Sequence, residues 1–179
     1  MVNSLENKAR FPLVVLGLGS NLGDSRLIVL DAIKALTGVL LELRPASLYE
    51  TKPLHVTDQA SFINTAVAGF YPETMIGSSN TAHAWDLLHR INEIEARFGR
   101  DRSRERRWGE RTLDIDILLF GGLTLSESGL EIPHPRLRER RFALEPLLEL
   151  LPEAVDPVTG ISYRSIRDSL PDQGVRKRE

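Results

Sequence analysis

Residues 107 to 120 read Arg-Trp-Gly-Glu-Arg-Thr-Leu-Asp-Ile-Asp-Ile-Leu-Leu-Phe, a charged loop that becomes an apolar strand. Strand side chains alternate with a period of two, so Leu113, Ile115, Ile117 and Leu119 share one face and Asp114 and Asp116 share the other, with Leu118 and Phe120 beyond them. The Cα atoms of the two aspartates lie about 6.6 Å apart in such a strand. Their carboxylates then repel by roughly 2–3 kcal/mol at an effective dielectric near 20. Arginines, a shared proton or divalent cations can offset that repulsion. Residues 100 to 111 hold six arginines (Arg100, Arg102, Arg104, Arg106, Arg107 and Arg111) against Asp101, Glu105 and Glu110. Arginines facing paired aspartates suit a polyphosphate carrying Mg²⁺: the cation bridges carboxylate and phosphate oxygens, and guanidinium forks take the rest. A plainer alternative is an edge strand that uses charge against aggregation, salt-bridged to a solvated loop. The apolar opposite face and the adjacent Trp108 favour the functional version.

The whole-chain composition narrows the classes. With 179 residues, 41% hydrophobic and 27% charged, the chain has the length and make-up of one ordinary globular domain, here residues 1–179 with 1–10 and 172–179 as frayed tails. The net charge of −2 argues against a nucleic-acid binder, so the positive charge is local and marks a site. There is no cysteine, which excludes disulfides, cysteine zinc sites and a thiol nucleophile. The apolar run Leu13 to Leu18 is too short to span a bilayer or to form a usual signal core, and a cytoplasmic protein without membrane partners is expected.

Taken in order, Leu13 to Leu18 is a buried strand. Gly17-Leu18-Gly19-Ser20-Asn21-Leu22-Gly23-Asp24 is a glycine-rich turn; its spacing is one residue too long for a dinucleotide fingerprint, and it lacks the P-loop lysine. A helix capped by Asp24 or Ser25 carries Leu27, Leu30, Ile33 and Leu36 at helical spacing and ends at Gly38. Val39 to Tyr49 reads as a strand with a bend at Pro45, and Phe62 to Phe70 as another. In the latter, Phe62, Asn64 and Ala66 face one way and Ile63, Thr65 and Val67 the other. Ala82 to Phe98 is a helix with Trp85, Leu88, Ile91, Ile94 and Phe98 as its stripe. Strand, helix, strand, strand, helix, strand is an α+β order. It predicts a ferredoxin-like βαββαβ core, an antiparallel sheet with helices on one face. C-terminal additions follow: extended pieces within Leu123 to Ile132, a helix from Phe142 to Leu151 interrupted by Pro146, a turn from Asp156 to Gly160 and a short helix from Ser165 to Leu170.

Two further constellations carry chemistry. Pro133-His134-Pro135-Arg136 is a rigid turn leading into Arg136, Arg138, Arg140 and Arg141, which makes His134 a candidate donor to phosphate oxygens. His55, His83 and His89 lack metal-ligand spacing and read as surface or partly buried residues. Phe62, Asn64, Trp108 and Phe142 could form a slot in which aromatic faces stack on a planar heterocycle and an amide meets its edge, although scattered aromatics are more often core.

These motifs together resemble one family. Gly19-Ser20-Asn21-Leu22-Gly23-Asp24, Tyr49-x-Thr51, Phe62-Ile63-Asn64-Thr65-Ala66-Val67, Arg100-x-Arg102, the run from Arg107 to Gly121, Ile132-Pro133-His134-Pro135-Arg136 and Arg140-x-Phe142 look like the 6-hydroxymethyl-7,8-dihydropterin pyrophosphokinases of folate biosynthesis. The resemblance runs from about Leu13 to about Pro152. It implies transfer of the β,γ-pyrophosphoryl group of ATP to the hydroxymethyl oxygen of 6-hydroxymethyl-7,8-dihydropterin, with release of AMP, by a monomer. By the same resemblance Asp114 and Asp116 hold two Mg²⁺ ions, and Arg100 and Arg111 neutralise the transferred group. Asn92, Glu95, Arg102, Thr112, Leu113, His134 and Arg140 lie at ATP. The pterin stacks between Phe62 and Phe142, its edge meets Asn64 and the loop of Thr51, Pro53 and Leu54, and Trp108 closes the pocket under a lid formed by the arginine loop.

The chain departs from the family's pattern in places: Glu110 replaces a usual proline, Lys52 sits in the pterin loop, one extra residue lies between Gly99 and Trp108, and Tyr71 to Thr81 is long. None of these removes a metal ligand or a stacking residue. The rival readings are another two-metal nucleotidyl or phosphoryl transferase on the same frame, and a non-catalytic binding module such as an RNA reader.

Overall fold

The computed structural model describes residues 11–53, 58–72, 79–100 and 109–178. Its elements in chain order are β1 (Leu13–Ser20), α1 (Ser25–Leu36), β2 (Leu41–Pro45), β3 (Leu48–Thr51), β4 (Phe62–Phe70), α2 (Asn80–Arg97), β5 (Asp114–Phe120), β6 (Leu125–Glu127), β7 (Leu130–Ile132), a 3₁₀ turn (Leu137–Glu139), α3 (Arg141–Leu150), α4 (Tyr163–Ser169) and β8 (Arg176–Arg178). The main sheet runs β5-β1-β4-β3-β8, with β2 also on β4, and every pairing is antiparallel. β6 and β7 form a separate hairpin.

Both faces of the sheet are covered. Val14, Leu16, Leu18, Val67, Ile115 and Ile117 pack with α1 and α2 in one core. Val15, Ala66, Ala68, Leu118 and Leu119 pack with α3 and α4 in a second. Helices on one face alone, as the sequence suggested, would leave this second set in water. The double cover explains why β4 is buried continuously from Asn64 to Phe70 instead of alternating.

Several local expectations are corrected. The Asp114 strand does not alternate to its end: Leu16 pairs with Ile117 and Val15 with Leu119, so Leu118 is a bulge residue. Leu118 and Leu119 therefore both join the second core, and Phe120 returns to the side of Ile117. The strand expected over Val39 to Tyr49 is two strands, broken where Thr65 Oγ1 donates to the carbonyls of Ala46 and Ser47. In α1 the buried residues are Val29, Ala32 and Leu36, while Leu27 and Leu30 are 51% and 39% exposed. The helix turns its smaller side chains to the sheet, where a close approach is needed. α2 starts earlier than its apolar stripe, at the Ser79 cap, and buries His83 (2% exposed), which had read as a surface or partly buried residue. α3 runs through Pro146 without interruption. The tail is not frayed over residues 172–178, because β8 adds to the β3 edge with Tyr49 opposite Lys177.

Candidate active site

The site follows from cross-strand register. On adjacent strands Asp114 faces Gly19, which faces Asn64; one step along, Asp116 faces Gly17, which faces Ala66. All six lie on the α3 side of the sheet, since Ala66 belongs to the second core and side chains of one parity share a face. The two glycines carry no side chain between the acidic strand and Asn64, and so leave a trough. A Cβ at Gly19 would lie 2.8 Å from Oδ1 of Asn64. The glycine-rich stretch is therefore half strand: Gly17 and Gly19 shape the trough, and only Gly23, with φ +72°, belongs to the turn.

The trough is the floor of a solvent-open cavity. One wall carries Phe62, Asn64, Thr51, Lys52 and Pro53, and the opposite wall Asp114, Asp116, Arg111, His134 and Arg140. Phe142 lines it from α3. The β4 side thus carries an aromatic ring and an amide, the β5 side is dense in charge, and Phe142 lies against the Arg140 guanidinium, 5.5 Å from its carbon to the ring centre. Asn64 is 5% exposed and its Nδ2 donates to Thr51 Oγ1 at 2.8 Å, which fixes the amide plane at the cavity wall.

At the charged end Asp114 is held by two guanidiniums. Arg100 Nη1 donates to its Oδ1 at 2.6 Å and Arg111 Nη1 to its Oδ2. Burial alone would raise its pKa, but the charges of Arg111 and Arg100 outweigh burial and hold the carboxyl below the usual range. Asp116 has weaker partners, with Arg140 Nη1 at 3.7 Å and His134 Nε2 at 3.6 Å. Its carboxyl, whose side chain is 37% exposed, is pushed up to about 7 by burial and then by the charge of Asp114. The repulsion read from the sequence is thus only half offset by arginines. His134 is driven down to about 4 by burial and by Arg140, so its imidazole is neutral at neutral pH. Its Nδ1 accepts from the backbone N–H of Arg136 at 3.1 Å, which leaves the proton on Nε2, the nitrogen that faces Asp116.

The structure brings together Arg111, Asp114, Asp116, His134, Arg140, Thr51, Pro53, Phe62, Asn64 and Phe142 around the cavity, with Arg100 behind Asp114. It does not bring Asn92, Glu95, Thr112 or Leu113 to that lining. Leu113 is fully buried in the first core, so its side chain offers nothing to a nucleotide. Glu95 is 1% exposed, and Oε1 accepts from Arg100 and, at 2.8 Å, from the backbone N–H of Ile115. It orients Arg100 and pins the start of β5 instead of reaching into the cavity. Leu54, Arg102 and Trp108 lie outside the described residues, as does His55.

Sequence reasoning missed Asn21, which is 3% exposed. Its Oδ1 accepts from the backbone N–H of Arg111 at 2.8 Å, and its own N–H donates to the Arg111 carbonyl at 3.1 Å. Its Nδ2 donates to Gln59 Oε1 at 3.2 Å and to the Ala60 carbonyl at 3.4 Å. One buried amide thus ties the arginine segment to the chain that leads into Phe62. The signal for it was an asparagine placed directly after an apolar strand, where an unpaired amide would be costly. Gln59 had no such signal.

In class this is an α+β protein whose antiparallel sheet carries an acid-and-arginine cavity opposite an aromatic slot. The same fold occurs in crystal structures of Plasmodium falciparum HPPK-DHPS; the wild type aligns with a TM-score of 0.65 at 15% identity, covering 89% of this chain and 44% of that one. The chain belongs to the 7,8-dihydro-6-hydroxymethylpterin-pyrophosphokinase (HPPK) family, whose model matches residues 15–152. A 2-amino-4-hydroxy-6-hydroxymethyldihydropteridine pyrophosphokinase of Methylorubrum extorquens is 39% identical over 167 residues, 92% of this chain and 97% of that protein. The protein of that name in Bacillus subtilis is 36% identical over 140 residues, 77% of each chain. The folic acid synthesis protein fol1 of Pneumocystis carinii is 34% identical over 176 residues, and this chain spans only 22% of its length.

Proposed function

We propose that this protein transfers pyrophosphate from ATP to the hydroxymethyl group of 6-hydroxymethyl-7,8-dihydropterin and releases AMP. The observation that carries this reading is the division of one cavity. Phe62 and Asn64, on the β4 side, suit a flat heterocycle; Asp114, Asp116, Arg111, His134 and Arg140 suit phosphates, and Phe142, with the Arg140 guanidinium carbon 5.5 Å from its ring centre, sits where the two parts meet.

The donor set fits magnesium in a particular way. Among the described residues no group of three or more His, Cys, Asp or Glu side chains is arranged to hold a metal ion. Two carboxylates alone suit Mg²⁺, which takes one or two protein oxygens and completes its shell with phosphate oxygens and water. Asp116, left under-neutralised beside Asp114, is the group that a cation would most relieve. Asp114 and Asp116 would hold such ions, two by the family resemblance, and the ions would neutralise charge on the triphosphate. The chain's own groups do the positioning. Arg111 and Arg140 present guanidinium forks, and His134 offers a neutral Nε2–H that can donate to a phosphate oxygen without competing for the metal. Arg100, fixed by Glu95, holds the Asp114 carboxylate in place. Such transfer asks little covalent work of a protein, so orientation and preorganised charge make up most of the rate enhancement.

The strand order β5-β1-β4-β3, with α1 and α2 on one face, supports reading the core as a ferredoxin-like βαββαβ unit to which α3, α4 and β8 are added. We further read the chain as a single domain, monomeric and cytoplasmic. The absence of cysteine in 179 residues is compatible with a reducing compartment. No described helix is long and apolar enough to cross a membrane.

The test is incubation with ATP, Mg²⁺ and the reduced hydroxymethylpterin, with product analysis. AMP and a pyrophosphorylated pterin in equal amounts support the proposal. ADP with a monophosphorylated pterin would indicate a different phosphoryl transferase, and no ATP consumption with any pterin would indicate a binding module.

A further inference from the structure

The chain beyond residue 152 lies outside the family match, yet it returns to the start of α3, whose Phe142 and Ala143 line the cavity. It is anchored in two places on the way. Arg138 Nε donates to the fully buried Asp156 at 2.5 Å, and Arg167 Nη1 donates to Glu145 of α3 at 3.0 Å. Arg141 then holds the strand-bound tail through the Leu170 carbonyl at 3.2 Å. These contacts deliver Gln173 to the start of α3.

α3 needs what Gln173 brings. Its N-cap is Arg140, which makes no side-chain cap hydrogen bond; the Ala143 N–H donates to the Arg140 carbonyl, and the Arg141 N–H, one of the first-turn amides with no partner inside the helix, needs an acceptor from elsewhere. Gln173 Oε1 accepts from the Arg141 backbone N–H at 2.8 Å, and Gln173 Nε2 donates to the Glu139 carbonyl at 2.8 Å. One partner is an N–H and the other a carbonyl, so the orientation of the amide is fixed by chemistry. The two bonds fall on the peptide groups on either side of Arg140, and together they hold its φ of −116° and ψ of 98°. From that fixed backbone the Arg140 side chain reaches into the cavity. Its Nη1 lies 3.7 Å from Asp116 Oδ2, and its guanidinium carbon sits 5.5 Å from the centre of the Phe142 ring.

We propose that Gln173 is a positioning residue of the site: its amide clamps the two peptide groups that flank Arg140 and so aims the Arg140 guanidinium at the phosphate end of the cavity. This rests on the proposed function only in taking Arg140 as a phosphate ligand. The segment carrying Gln173 is then part of the working site and not an appendage to it.

The experiment is a double-mutant cycle read by calorimetric binding of a non-hydrolysable ATP analogue with Mg²⁺, using Gln173→Ala, Arg140→Ala and the pair in the full-length chain. Losing the clamp weakens binding by roughly three- to tenfold, the equivalent of one ordinary hydrogen bond. Gln173→Met, which fills the same space without the polar atoms, weakens it equally. In the Arg140→Ala background Gln173→Ala has no further effect, because coupled residues do not add. A tail that only stabilises the fold would lower the melting temperature in both backgrounds and leave the two binding losses independent. Wild-type affinity in Gln173→Ala, or losses that multiply, overturns the proposal. If Arg140→Ala itself binds the analogue normally, the phosphate role of Arg140 fails. The clamp is then judged by NMR order of the Arg140 Nε–H, which must fall in Gln173→Ala; unchanged order overturns it.

Discussion

Nε2 of His134 and Oδ2 of Asp116 face each other across 3.6 Å, and the pair is not an ion pair at neutral pH. The imidazole is neutral, with a pKa lowered to about 4, and the carboxyl is the partner that titrates near neutrality, at about 7. A histidine beside an aspartate usually gains charge. Here burial and the neighbouring Arg140 prevent it, and the site keeps an N–H donor instead.

The raised Asp116 pKa has a consequence for stability whose sign is opposite to that of most paired aspartates. Between the ordinary carboxyl value of 3.8 and about 7 the folded chain holds a proton that the unfolded chain has released. Stability from this group therefore falls as pH rises through that window and stays low above it. Asp116→Asn removes the penalty. Without divalent cations, the melting temperature of Asp116→Asn relative to wild type should rise between pH 5 and pH 8, measured by calorimetry. A difference that stays flat over that range would show that Asp116 ionises normally. Asp114, whose pKa is lowered, acts in the opposite sense and loses its contribution only in acid.

The same charge pattern predicts a cation effect. Magnesium with a non-hydrolysable ATP analogue should stabilise the wild type far more at pH 8 than at pH 5, because the ion competes with the proton on Asp116. Asp114→Ala and Asp116→Ala should each lower turnover by at least about a hundredfold, the size expected for a group acting on developing charge. Their folding should survive. Near-full turnover in either variant would remove the two carboxylates from the mechanism.

Arg111 and Arg100 both bind Asp114, but they are placed differently. Arg100 is 7% exposed and locked by Glu95, while Arg111 is 26% exposed and lines the cavity. Arg111→Ala should therefore lower kcat much more than it weakens pterin binding. Equal losses in steady-state rate and in pterin affinity by titration would assign Arg111 to ground-state binding.

Much of this site was legible because its residues obey strand parity. Asp114 and Asp116, Phe62 and Asn64, and even Gly17 and Gly19 recur at spacing two, and register then lines them up across three strands. What sequence alone could not give was the register itself, since it depends on which strands become neighbours. The glycines were read as a turn for that reason. The bulge at Leu118 was hidden because leucines on either face of an apolar strand look alike. Glu95 and Asn21 were misjudged or missed because a buried polar side chain is defined by partners remote in sequence. Their partners include Ile115 for one and Arg111 and Gln59 for the other. β8 was missed because three consecutive basic residues resemble a solvated tail until Asp172, Glu149 and Glu50 are found beside them.

Gly19 gives a sharp test of the trough. Alanine there puts a methyl carbon 2.8 Å from Asn64 Oδ1, well inside contact distance, so the amide must turn away from the slot. Because Thr51 Oγ1 holds the other end of that amide at 2.8 Å, the movement also breaks a buried hydrogen bond. Overpacking of this kind costs about 1–3 kcal/mol. That cost falls on stability; in Gly19→Ala pterin binding should weaken by roughly tenfold, the worth of the hydrogen bond the displaced Asn64 amide no longer offers. Nucleotide-analogue affinity should change little. A uniform loss for both ligands would mean that the strand as a whole had shifted.

Asn21 joins the two halves of the cavity, and its loss should be felt in both. Its Oδ1 and backbone N–H bracket Arg111, and its Nδ2 reaches the chain before Phe62. Replacing it with alanine leaves the Arg111 amide without its buried acceptor, a cost of about 1–3 kcal/mol in stability. Asn21→Asp keeps an oxygen for the Arg111 N–H but gives up the donor to the Ala60 carbonyl. The aspartate variant should therefore keep the rate contribution of Arg111 while weakening pterin binding, and the alanine variant should lose both. Steady-state rates and pterin titrations on the two variants distinguish these outcomes. If aspartate and alanine fail identically in kcat, the bond to the Arg111 amide is not what orients that arginine.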